Sequence, residues 1–195
     1  SADFRKLLQN RICALNPTFL LFLKQIQQIE IIAENQTVVI SSEAETPEKN
    51  IQYKTIISSK NGKRNVSRYL LFHRSSGRNR EAAIALQVDE PGNFIPIKKT
   101  QVSVYFPTQF HIAHSIIVHG SFTTTPNREN IPFSEEWTPE NNAVLSVLSD
   151  LMRISLRSLL SRKLITAEFW TLFSWNSTSA DPVSAVISEC LNKFI

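Results

Sequence analysis

The sequence predicts an α+β chain. Helical signals occupy both ends, and short β-branched runs separated by turn residues fill most of the stretch between residues 29 and 122. Apolar residues, mostly leucine, at spacings of three and four after residue 138 mark one long helix in the last third. Composition supports a folded chain: 42% of residues are hydrophobic and 19% charged among 195, which excludes the disordered and collagen-like classes.

Taken in order, Phe4, Leu7, Leu8 and Ile12 recur at helical spacing behind a capping Asp3. Asn16 followed by Pro17 starts a second predicted helix, whose apolar face is Phe19, Leu20, Phe22, Leu23 and Ile26. Strands are then predicted over 29–33, 37–41, 51–59, 66–73, 80–89 and 101–106, with turns at Asn35-Gln36, Asn61-Gly62 and Pro91-Gly92-Asn93. A further apolar strand over 116–122 leads into the polar run 123–130. Thr138 and Pro139 open the long helix, and short helices are expected over 166–172 and 182–194. The expected division is linker helices over 1–28, an α+β body over 29–133, and a helical layer over 134–195 packed on it.

The formal net charge is +4 and the isoelectric point about 9.2. The densest basic group is Lys60, Lys63 and Arg64 with Arg74, Arg78 and Arg80, a possible nucleic-acid contact. No aromatic residue lies between Lys60 and Arg64 or between Arg74 and Arg80, so base-stacking platforms are missing. Two solvated hairpin ends explain the same residues. Cys13 and Cys190 are isolated thiols without metal-ligand spacing, which fits a reducing, cytoplasmic setting. No apolar run reaches the roughly 20 residues of a membrane span, so no membrane partner is expected.

His111, His114 and His119 lie close together, but no third ligand of the His-Glu-x-x-His kind accompanies them, and no metal site is expected. Ser115 and Ser121 lack the Gly-x-Ser-x-Gly elbow of hydrolases. Gly62, Gly77, Gly92 and Gly120 stand singly, so there is no phosphate-cradling loop and no cofactor is expected in this chain. Arg128, between Asn127 and Glu129, sits in the polar loop after an apolar strand. Its chemistry alone suits either a surface pair with Glu129 or Glu135, or a guanidinium offered to a neighbouring phosphoryl group.

Ser-Val-Tyr-Phe-Pro-Thr at 103–108, followed by Ile-Ile-Val-His-Gly-Ser-Phe-Thr-Thr-Thr-Pro-Asn-Arg-Glu-Asn-Ile at 116–131, resembles the segment after the nucleotide domain in sacsin-like and NO VEIN-like GHKL ATPases. Leu-Asn-Pro-Thr-Phe-Leu-Leu-Phe-Leu-Lys-Gln-Ile-Gln-Gln-Ile-Glu-Ile at 15–31 is similar to that family's Leu-Leu-Phe-Leu helix and following strand. Trp137 and Asn142 resemble its Trp-Asn region, with the two residues separated here. The 120–131 stretch is also similar to the Asn-x-Ser-Arg-Glu loop of the ninety-kilodalton heat-shock chaperone's middle domain, with Thr125 and Asn127 where the chaperone has Asn and Ser.

The resemblance implies a ribosomal protein S-five domain-two-like transducer with a mixed sheet, N-terminal linker helices and a C-terminal helical layer. It implies that Arg128 contacts an ATP γ-phosphate, with Thr124, Thr125, Asn127 and Glu129 as the supporting loop. ATP and Mg would then belong to a nucleotide-binding module N-terminal to Ser1, the chain's main partner. The chain by itself would be inactive and its parent an ATPase that relays nucleotide state to a client. Two other readings stand beside this one: a nucleic-acid-binding module, and an interaction domain that forms a homodimer through the leucine-rich 142–160 helix.

Overall fold

The structure is a computed structural model, and it describes residues 16–33, 36–48, 51–77, 79–90, 92–133, 138–175 and 181–195. Five strands form an antiparallel meander: β1 (Gln28–Ala33), β2 (Gln36–Glu48), β3 (Ile51–Lys60), β4 (Lys63–Ser76) and β5 (Arg80–Val88). The β3–β4 connection is the two-residue turn Asn61-Gly62, with φ of 50° and 81° and Lys60 opposite Lys63. Both central residues are left-handed, as a tight hairpin of matching twist requires.

The chain then adds β6 (Gln101–Val104), β7 (Phe106–His111) and β8 (Ile117–Gly120). β8 inserts between β5 and β6, antiparallel to the first and parallel to the second, giving one mixed sheet of order β1-β2-β3-β4-β5-β8-β6-β7. Ala82 lies opposite Gly120, and Ile84 opposite Val118.

Helices α1 (Thr138–Ser161), α2 (Ala167–Trp170) and α3 (Pro182–Asn192) complete an α+β architecture. They cover one sheet face, where Leu70, Phe72, Ile84, Leu86, Val102 and Val118 share a core with Val144, Leu148, Leu151 and Ile187. The opposite face, Ile40, Ile56, Tyr69, Leu71, Ala85 and Ile117, packs under Phe19, Leu20, Leu21 and Phe22. Central strands β4 and β5 are therefore buried on both sides and carry unbroken buried runs at 69–72 and 82–86. Among the described residues no helix is long and apolar enough to cross a membrane.

The expected first helix, residues 3–12, and Cys13 lie outside the described residues. The expected second helix is shorter than its pattern suggested: Pro17–Leu21 forms one 3-10 turn, capped by the Asn16 side chain accepting from Thr18 N–H at 3.1 Å. Its extension fails because the carbonyls that a continuing helix would use are taken. Lys54, reaching up from β3, donates Nζ–H to Leu20 O (2.6 Å), Leu21 O (3.0 Å) and Leu23 O (3.4 Å). The strand expected over 101–106 is broken into β6 and β7 at Tyr105, whose φ is 63°.

Candidate functional site

The polar run after β8 is a closed loop with its own scaffold. Thr125 N–H donates to Asn130 O (2.9 Å) and Arg128 N–H to Thr125 O (2.7 Å). The Thr125 hydroxyl donates to Asn127 Oδ1 (2.6 Å) and accepts from Asn130 N–H (3.1 Å). Asn127 Oδ1 also accepts from Glu129 N–H (3.2 Å), while its amide donates to Glu129 Oε2 (2.7 Å). From β7, Gln109 N–H reaches Glu129 O at 2.6 Å and ties the tip to the sheet edge. Arg128 therefore sits at φ 57°, a left-handed position that a non-glycine residue keeps only where its surroundings fix it.

The loop's stems are fixed from α1. Asn141 is fully buried, and its Oδ1 accepts from Thr123 N–H at 2.8 Å. Its Nδ2 donates to Pro132 O at 2.7 Å and to Thr123 O at 3.2 Å. Thr124 lies half-buried on the rising stem, and residues 126–130 are exposed.

Among the described residues Arg128 has no ion-pair partner. Glu129 does not take that role: its carboxylate receives the Asn127 amide. Glu135, the other acid that sequence spacing offered, lies outside the described residues. The tip thus presents an exposed arginine on a hydrogen-bonded support, with no ion-pair partner among the described residues, and a guanidinium can make two parallel N–H bonds to a planar or tetrahedral oxyanion.

The remaining basic residues form no single surface. Lys60, Lys63 and Arg64 cluster at the β3–β4 hairpin, whereas Arg74 and Arg80 stand at the β4–β5 connection. Arg64 and Arg74 are ten residues apart on one strand, roughly 33 Å at strand rise. Arg74 also lies 3.9 Å from Asp150 of α1. Arg78 is outside the described residues.

A second polar cluster lies on the opposite sheet face, in a cleft of about 510 Å³ between the sheet and the segment 21–27. Glu81 at the start of β5 accepts from Lys24 Nζ (2.8 Å) and from the Tyr105 hydroxyl (3.1 Å). His119 Nε2 stands 3.5 Å from Glu81 Oε1. The His119 hydrogen bond, followed by Lys24 and Tyr105, holds the Glu81 carboxyl well below the usual carboxylate range against the opposing effect of burial. His119 Nδ1 accepts from Tyr105 N–H at 3.3 Å, which places the ring proton on Nε2. Phe22 covers the imidazole, with centroids 4.7 Å apart and planes 14° from parallel. Each group has a partner within the cluster, so its evident work is to fasten the segment 21–27 and the Tyr105 corner to the ends of β5 and β8.

The three histidines considered as metal ligands are kept apart. His111 is exposed beside Gln101 and the carbonyl of Gln109. His114 is 1% exposed under α3, with Nδ1 accepting from Ser174 N–H and Nε2 facing Ser184 O and Ser188 Oγ. His119 belongs to the Glu81 cluster.

Asn141, Lys54 and Glu81 were not singled out from the sequence. Lys54 had a readable signal, because it shares a strand face with Ile56 and so must point inward. Asn141 had none beyond standing next to Asn142, since both asparagines open the same helix and only the packed fold tells the buried one from the exposed one.

Compared with known proteins, the chain matches no protein-family model, no curated protein and no solved structure.

Proposed function

We propose that this chain is the middle, or transducer, domain of a GHKL-type ATPase, with the ribosomal protein S-five domain-two-like fold. Arg128 would extend from it to the γ-phosphate of ATP held by an adjacent nucleotide-binding module. The observation that carries this reading is the state of Arg128: an exposed guanidinium without an ion-pair partner among the described residues, on a loop whose other polar groups bond one another. Surface arginines commonly settle against a neighbouring acid. Here the adjacent carboxylate is turned to Asn127 instead, which leaves the cation without a partner among the described residues.

The loop offers one cation and no glycine-rich cradle. That suits a contact delivered to a nucleotide bound elsewhere better than a nucleotide site of its own. ATP with Mg supplies the phosphoryl chemistry in the partner module. The share of this chain is to neutralise charge at the phosphate oxygens and to dock only when they are present, so that nucleotide state sets domain orientation. The basic residues favour the nucleic-acid alternative less, being divided between the two ends of β4.

The test is ATP turnover by the polypeptide that includes the natural upstream sequence. Arg128→Ala is expected to lower kcat by about 10³-fold, the low end of the range of trans-acting arginines, with the unfolding midpoint unchanged. Wild-type turnover by Arg128→Ala overturns the reading.

A further inference from the structure

We infer that Asn141 is the positioning residue of the Arg128 loop and the joint through which the loop moves together with α1. The inference rests on the reading of Arg128 as a phosphate contact. Its structural half can be tested without that reading.

Two facts carry it. First, Asn141 is the only described residue on α1 that bonds this loop, and it does so on both stems: Thr123 N–H and C=O on the rising stem, and Pro132 O on the returning one. A side-chain amide has one acceptor and two donor hydrogens. This one uses its acceptor and offers donors to both stems, closing the base of the loop in the way a backbone ladder would. Second, the side chain is completely buried, so water cannot replace it. Losing Asn141 would take this partner from the half-buried Thr123 N–H and from the carbonyls of Thr123 and Pro132, and the stems would part to let water reach them.

Mechanical consequences follow from where the amide is rooted. Asn141 lies in the first turn of α1, and Val144, Leu148 and Leu151 on the same helix are in the sheet core. Phe122, between the β8 end and Thr123, is packed into that core as well. Gln109 N–H holds the tip from β7 on the other side. The loop is therefore suspended between a sheet edge and a helix end. A force on Arg128 reaches α1 through three short polar contacts and not through a flexible tether. Docking of the guanidinium on a phosphate would displace the N-terminal end of α1, and displacement of α1 by a client would withdraw the guanidinium.

The experiment compares Asn141→Ala and Asn141→Ser with the control Asn142→Ala, an exposed neighbour on the same turn. Amide hydrogen exchange on this chain is expected to quicken about tenfold or more at Thr123, Thr125 and Arg128 in both Asn141 variants, with β4 and β5 protection retained. Unchanged exchange in the loop overturns the clamp, and the serine variant gives the same reading should the alanine variant unfold. ATP turnover in the polypeptide with its upstream sequence is the second arm. A fall in kcat on Asn141→Ala, smaller than that of Arg128→Ala and without a rise in KM, supports positioning. If Arg128→Ala lowers kcat and Asn141→Ala does not, the positioning inference is wrong and the phosphate reading stands. If neither lowers it, the phosphate reading itself is wrong.

Discussion

Gly120 and Val144 meet across the sheet–helix interface without room for a methyl group: a Cβ on Gly120 would stand 2.8 Å from Val144 Cγ1 and 2.5 Å from the Phe122 ring. The glycine ends β8, opposite Ala82, at the point where the chain leaves the sheet for the Arg128 loop. Its role is close approach, not left-handed backbone. Gly120→Ala is expected to lower stability by about 1–3 kcal/mol, the usual cost of overpacking, in urea unfolding followed by tryptophan fluorescence. An alanine variant as stable as wild type would show that α1 sits more loosely on β8 than the packing indicates.

Lys54 gives a prediction in alkaline solution. Burial pushes its amine down to about 8 from 10.5, although three backbone carbonyls receive its protons. In the unfolded chain the amine keeps its proton up to its ordinary value, so between these two pH values the unfolded state binds the extra proton. Stability contributed at this site therefore rises with pH across that window and is reduced below it. The stability difference between wild type and Lys54→Met should widen in favour of wild type from pH 8 to 10, by up to about 3 kcal/mol at 1.36 kcal/mol per unit. Chemical denaturation at both pH values measures it; a constant difference would contradict the buried-ammonium account. At pH 7 the methionine variant should still be the less stable, because three carbonyls lose their donor.

His114 predicts the acid side. Burial, opposed by the Ser184 carbonyl and by Asp181, lowers its pKa below 6.5, and the neutral ring bridges the 113–116 segment to α3. The unfolded chain takes up a proton first as pH falls. Stability is therefore complete above the unfolded pKa of about 6.5 and is lost as pH drops toward the folded value. His73 shifts in the same direction through burial and Lys24, so the comparison must be with a His114 variant. His114→Gln should be less stable than wild type at pH 7, with the gap narrowing by pH 5. A parallel pH profile for the two proteins would remove His114 from the acid response.

Legibility from sequence followed the range of the forces. The Asn61-Gly62 hairpin, the long α1 and the meander over β1 to β5 were readable because turn geometry and side-chain period act within a few residues. The segment after Pro17 read as a helix because its start signals are local, whereas its termination is not. Its carbonyls are claimed by Lys54, more than thirty residues away. The break of the 101–106 strand at Tyr105 is tied in the same way to His119 and Glu81, which lie far off along the chain.

By itself the sequence determined the α+β class, the apolar faces and the position of Arg128 in a polar loop after an apolar strand. Those properties follow from composition and period alone. Only the tertiary structure decided that Glu129 would turn away from Arg128, that Asn141 and not Asn142 would close the loop, and that β8 would insert between β5 and β6. Such choices depend on which distant groups are buried together. A polar atom removed from water must find its partner wherever the fold has placed one.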